Sequence, residues 1–125
     1  YFYTEPGDHI GWHFDTSYYA GKRYTLLLGV VDESSSQLEF ELFKNQADRE
    51  TVADGRNLRP GAMCFFNGDE VWHRITPLGE NERRISLTFE YVTDAHMGRW
   101  QRFMSNMKDS IAYFGFKQVF SRNKR

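Results

Sequence analysis

The chain has 125 residues, 40% hydrophobic and 17% aromatic, which is enough apolar material for one compact core and a length that fits one domain rather than two. Its 16 basic and 17 acidic side chains nearly cancel to a formal charge of -1, so no bulk field gathers nucleic acid or an anionic membrane, and neither is expected as a partner. Cys64 is the single cysteine, which excludes an internal disulfide and any Cys-x-x-Cys zinc or redox motif and points to a reducing, cytoplasmic location.

Strand signals dominate the first three quarters of the chain. Tyr1, Phe2 and Tyr3 look like a strand already under way, with no Met or polar lead-in, so a fragment with missing upstream elements is expected. The turn "EPGD" separates this run from a second strand over 9–15, Pro6 and Gly7 being ordinary turn chemistry. A polar, Tyr-rich loop, "TSYYAGK", leads to residues 23–31, rich in β-branched, aromatic and aliphatic side chains and suited to a buried strand. This is the longest apolar stretch, and it is far too short to cross a bilayer.

"DESSS" breaks that strand. Leu38, Phe40 and Leu42 then alternate with Gln37, Glu39 and Glu41, the period of a half-exposed strand. Residues 44–58 are charged and aperiodic and read as a surface loop, and "RPG" turns into the short apolar run "AMCFF". "NGDE" reads as a hairpin signal between that run and "VWHRIT", and "PLGENE" leads into the last strand, "RRISLTFEYV". Helical period follows: Met97, Trp100, Phe103, Met104, Met107, Ile111 and Phe114 recur at three and four residues, with Asp94 placed to cap the start and Gly115 to stop the end. Short strands, Gly and Pro turns and one late helix argue for an antiparallel barrel or sandwich.

Within "GWHFDTS", His13 and Asp15 are two positions apart. On a strand such side chains project to one side, roughly 7 Å apart along the chain, and both can reach one ion. The other imidazoles are His9, His73 and His96. His96 falls on the expected helix, whereas His73 shares a strand face with Val71 and Ile75 and so points inward. Two histidines and one carboxylate form the facial set of non-haem iron(II) oxygenases. Each piece alone is equally an ordinary structural feature. Arg84 and Ser86 also share a face, and a guanidinium fork beside a hydroxyl suits a carboxylate.

In the order His13-Phe14-Asp15, His73, Arg84-Ile85-Ser86, the sequence resembles the 2-oxoglutarate and iron(II)-dependent oxygenase superfamily, whose fold is a double-stranded β-helix, or jelly roll. "EPGDHIGWHFD" is similar to the first two barrel strands of that family and "LRPGAMCFFNGDEVWHRITP" to the stretch before its distal histidine. The resemblance implies a mainly β catalytic core over 1–92 that lacks its N-terminal supporting helices, a closing amphipathic helix over 93–116 and a basic tail over 117–125. It implies that His13, Asp15 and His73 hold iron(II), that Arg84 and Ser86 bind the far carboxylate of 2-oxoglutarate, and that dioxygen is the other cosubstrate. Arg83 competes for the arginine role, but it takes the opposite face from Ser86 unless a bulge swaps them. Tyr3 is a further candidate for holding 2-oxoglutarate.

More finely, "GWHFDTSYYAGKRYTLLLGVVDE" with "HRITPLGENERRISLTFEY" looks like small enzymes related to free-amino-acid halogenases and hydroxylases. Halogenating members lack the carboxylate ligand. Asp15 is present, so the resemblance implies hydroxylation of an unactivated C–H in a small molecule, an amino acid or derivative. Ile75, Phe65 and Leu28 are expected as cavity walls, and Thr16, Tyr18, Tyr19 and Arg23 as loop residues that close over a substrate. Trp12, Phe14 and Trp72 are expected to face outward, with Arg74, and His9 to lie near the pocket mouth or on the surface. A partner segment or second copy is expected over the sheet left bare by the missing region. Two other readings stay open: a jelly-roll metal-binding module without oxygenase activity, and a catalytically silent scaffold.

Overall fold

The computed structural model describes residues 1–15 and 18–103. Its strands are β1 (Phe2–Tyr3), β2 (Ile10–His13), β3 (Arg23–Glu33), β4 (Leu38–Leu42), β5 (Val52–Arg56), β6 (Met63–Asn67), β7 (Trp72–Ile75) and β8 (Arg83–Val92). They form two four-stranded antiparallel sheets, ordered β1-β8-β3-β6 and β2-β7-β4-β5. The chain crosses repeatedly from one sheet to the other, giving the mainly β, jelly-roll-like fold expected from the sequence.

The core lies between the sheets. Tyr3 and Leu27 enter from the first sheet, Leu38 and Ile75 from the second, and Leu58 and Leu78 from connecting segments. Alternation places Thr25, Leu27 and Gly29 of β3 inward and leaves Leu26 and Leu28 on the outer side. Gly29 is needed for space. A Cβ there would sit 2.3 Å from the Leu58 carbonyl oxygen and 2.4 Å from that of Arg59, where the segment before β6 crosses the strand.

Two register shifts matter for the site. On β2, Ile10 pairs with Ile75 and His13 with His73, three steps against two. An odd separation would put Ile10 and His13 on opposite faces of a regular strand, yet both line the same cavity. The extra residue corrects the parity. On the β3–β8 pair the irregularity falls between Gly29 and Val31, so the alternation of β8 is undisturbed.

Three local expectations are corrected. Residues 44–58 are not all loop, because β5 pairs with β4 from Leu38↔Arg56 to Leu42↔Val52. As an edge strand containing Asp54 and Gly55 it carries little apolar period, and pairing supplies what propensity does not. "NGDE" is not a hairpin: β6 pairs with β3 while β7 pairs with β2 and β4, so the turn carries the chain between sheets. Turn chemistry fixes a reversal without fixing which strand receives the hydrogen bonds. Asp94 does not cap the late helix. Residues 99–103 are helical, and the backbone N–H of Gly98 donates to Gln101 Oε1 at 2.9 Å, half of a capping box. The rest of the expected helix, with Met104, Met107, Ile111, Phe114 and Gly115, and the basic tail lie outside the described residues.

The outer faces of the two sheets differ. On the second, Trp12 stacks on Trp72 at 6.3 Å and 4°, Phe14 packs against Trp72, and the cations of Lys44 and Arg74 lie over the rings. Arg74 also bonds Glu39 at 2.7 Å. On the first, Met63, Phe65, Leu87, Phe89 and Tyr91 are exposed, and Phe2 is 77% exposed. Among the described residues no helix is long and apolar enough to cross a membrane.

Candidate metal centre

The centre forms where β2 and β7 pair. His13 and His73 are directly opposite each other, with ring centroids 4.2 Å apart. His73, 5% exposed, is the more deeply set, with the edge of Phe66 against it at 4.9 Å. Each imidazole is oriented by its own backbone: Nδ1 lies 2.8 Å from the Gly11 carbonyl in His13 and 2.9 Å from the Val71 carbonyl in His73. A carbonyl oxygen only accepts, so Nδ1 carries a proton in each ring; Nε2 presents a lone pair when the ring is neutral and donates to Asp15 when the ring is protonated.

Both Nε2 atoms face the same oxygen. Asp15 Oδ1 lies 3.4 Å from His13 Nε2 and 3.7 Å from His73 Nε2. Asp15 itself falls two residues past the end of β2, not on a strand over 9–15, and its placement comes from a hydrogen bond of its N–H to the Gly68 carbonyl at 2.9 Å. One ligand atom from each of His13, Asp15 and His73 lies within 4.8 Å of the others. Two neutral nitrogens and one anionic oxygen converging in this way fit a divalent first-row metal ion.

Electrostatics agree with that charge pattern. Burial pushes the Asp15 carboxyl up, but hydrogen bonds from His13 and Thr25 and the charges of His73 and Arg23 outweigh it and take it down to about 2. The hydrogen bond to Asp15 raises His13, whereas burial lowers His73.

A second polar group lies deeper. Arg84 is 1% exposed, and its Nη1 donates to Ser36 Oγ at 3.2 Å while Nε and Nη2 have no hydrogen-bond partner. Burial lowers its pKa, opposed by Tyr3 and Asp32. Its guanidinium carbon lies 5.9 Å from the centre of the Tyr3 ring. Burial pushes the Tyr3 hydroxyl up to about 12, against the pull of Arg84. Ser86, two residues on, is buried on the same face of β8. One cavity is lined by His13, Asp15, His73, Ile75, Tyr3 and Ser86, so the metal-type cluster and the inner face of β8 border a common space.

Arg83 faces solvent instead and makes bidentate contacts with Glu33 at 2.9–3.2 Å. Of the expected walls, Ile75 lines the cavity, but Phe65 and Leu28 lie on the outer face, where Phe65 stacks on Tyr24 at 5.4 Å. Leu27 takes the inward place. His9 is exposed, with Nδ1 on the Gly7 carbonyl. Tyr19 is exposed, Arg23 is ion-paired with Glu90, and Thr16 lies outside the described residues. Thr25, Gly68 and Ser36 contact the site residues directly without having been singled out in the sequence. Thr25 carried a readable signal, as the one hydroxyl at an inward position of an otherwise apolar strand.

No family model matches the chain, and no curated protein matches it. Among solved structures, a Pseudomonas putida prolyl-4-hydroxylase aligns over 74% of this chain and 50% of its own length, with 24% identity and a TM-score of 0.55. The chain thus spans about half of the structure it matches, and at this identity the likeness establishes the fold.

Proposed function

We propose that this chain is the core of an iron(II)- and 2-oxoglutarate-dependent dioxygenase that hydroxylates an unactivated C–H of a small molecule, an amino acid or derivative. The observation that carries the reading is the His13-Asp15-His73 cluster, which shares a cavity with Ser86, together with a buried guanidinium at Arg84, two residues before Ser86 on the same face of β8, with two nitrogens lacking partners. An uncompensated buried cation is costly and suits an anion that arrives from outside. A dicarboxylate can answer both sites, one end at the metal and the other at Arg84, with Ser86 and Tyr3 as hydroxyl donors beside it.

When bound, iron(II) and 2-oxoglutarate activate dioxygen, one atom of which enters the substrate C–H and the other succinate, with release of carbon dioxide. The residues of the chain have narrower tasks. His13 and His73 offer neutral Nε2 atoms because their Nδ1 protons are committed to the backbone, and Asp15 stays ionised. Leu27 and Ile75 keep water from the inner end. Asp15 is also why hydroxylation is favoured over halogenation, since its carboxylate fills the place a halide ligand requires.

The similar structure is that of a prolyl-4-hydroxylase, which makes a prolyl residue in a peptide the second substrate class to test. A screen of free amino acids and short proline-containing peptides, read as substrate-dependent succinate formation with iron(II) and 2-oxoglutarate, separates the two. Turnover of free amino acids alone supports the first reading, and turnover of peptides alone replaces it. Failure of the folded protein to bind Mn(II), an oxygen-inert stand-in for iron(II), overturns the oxygenase assignment. A cytoplasmic location, proposed from the lone reduced Cys64, fits this chemistry.

A further inference from the structure

The two oxygens of Asp15 have different surroundings. Oδ1 faces both imidazole Nε2 atoms, whereas Oδ2 accepts a hydrogen bond from the Thr25 hydroxyl at 2.5 Å. Thr25 is 2% exposed and inward on β3, where a hydroxyl is costly unless bonded. Gly68 closes the other side. A Cβ at that position would lie 2.7 Å from Asp15 Cβ, 2.9 Å from Asp15 Oδ2 and 2.9 Å from Thr25 Oγ1.

The backbone of Gly68 is not left-handed, so glycine is there for room and not for conformation. Its carbonyl accepts the Asp15 N–H, and its own N–H donates to the Arg23 carbonyl, each at 2.9 Å, which ties the turn to the start of β3. The carboxylate is therefore held from three directions: its backbone by the turn, one oxygen by Thr25, and its flank by the bare Cα of Gly68.

Resting on the metal reading above, we propose that Thr25 and Gly68 are positioning residues that reserve Oδ2, so that Asp15 offers the metal a single oxygen. A carboxylate binding through both oxygens would take a coordination position that the two cosubstrates need. Outer partners of this kind typically set metal affinity by about 10–100-fold.

The test uses the full chain, Mn(II) titration calorimetry and the visible d–d spectrum of the Co(II) form. Thr25→Val keeps the shape and removes the hydroxyl, whereas Thr25→Ser keeps the hydroxyl. Thr25→Val is expected to weaken Mn(II) binding about tenfold and to lower the Co(II) absorption as a second carboxylate oxygen joins the ion. Thr25→Ser should stay within about twofold of the parent, and Gly68→Ala should lose at least as much affinity as Thr25→Val. Melting of the metal-free proteins checks folding, and Thr25→Ala replaces Thr25→Val if the latter does not fold. Parent-like Mn(II) affinity and an unchanged Co(II) spectrum in the hydroxyl-free variant overturn the proposal. If the parent binds no Mn(II), the metal reading itself fails, which is a distinct result.

Discussion

The two ends of the inner surface are built on opposite principles. At the metal-type end each ionisable group is already held: both imidazoles by backbone carbonyls, and Asp15 by Thr25, Gly68 and the imidazoles themselves. At the other end Arg84 has one hydrogen bond, to Ser36, and two unanswered nitrogens. The first end is organised before any ligand arrives. The second holds a buried charge that Tyr3 and Asp32 favour but whose Nε and Nη2 no group hydrogen-bonds, and those two nitrogens are what the proposed cosubstrate would answer.

That contrast can be broken most sharply at Asp15. Replacement by Ala should abolish turnover and Mn(II) binding together, and a variant retaining either would show that the cluster is not the metal site. Next is Arg84→Leu. Losing a buried charge partner typically costs 2–5 kcal/mol, so half-saturation by 2-oxoglutarate should require about a hundredfold more. The same variant without ligand should melt several degrees higher, because the orphaned cation is gone. Arg83→Leu should do neither, since its partner is Glu33 in solvent. The reverse ranking of the two arginines would exchange their roles.

Ser86→Ala is expected to weaken 2-oxoglutarate about tenfold, roughly the worth of one hydrogen bond to a charged group. The smallest effect is at Tyr3, and it is best seen in pH dependence. Its hydroxyl ionises near 10 in the unfolded chain and is raised to about 12 in the folded one. The unfolded state therefore releases this proton first. Stability from this group is intact below about pH 10 and is lost as pH rises towards 12. Tyr3→Phe should flatten the alkaline decline measured by denaturant melts, and an identical slope in both proteins would remove Tyr3 from the cavity wall.

Much of this was legible because β-structure has a period of two. Parity alone turned His73 inward and separated Arg84 from Arg83, and the parity of β8 survives because the neighbouring irregularity lies on β3. Parity failed where its origin was not fixed. Leu28 was assigned to the cavity, yet the inward set of β3 is Thr25, Leu27 and Gly29. The same misplacement hid Thr25. Gly68 read as a turn residue because a turn signal and a demand for space look alike in one letter. The strand β5 was invisible for a different reason: an edge strand with both faces wet has no apolar rhythm to betray it.

The uneven pairing of β2 with β7 bears on how this sequence can vary. An in-frame loss of Gly11 or Trp12 would leave all three candidate ligands encoded and would change net composition hardly at all. It would also remove the extra residue, so that two steps of β2 would face two of β7 and His13 would stay on the face of Ile10, opposite His73, in a regular pairing. A chain one residue shorter in that segment therefore keeps the cluster's geometry when related chains are compared, and the segment between β4 and β5 can likewise gain or lose residues with little effect on the cluster.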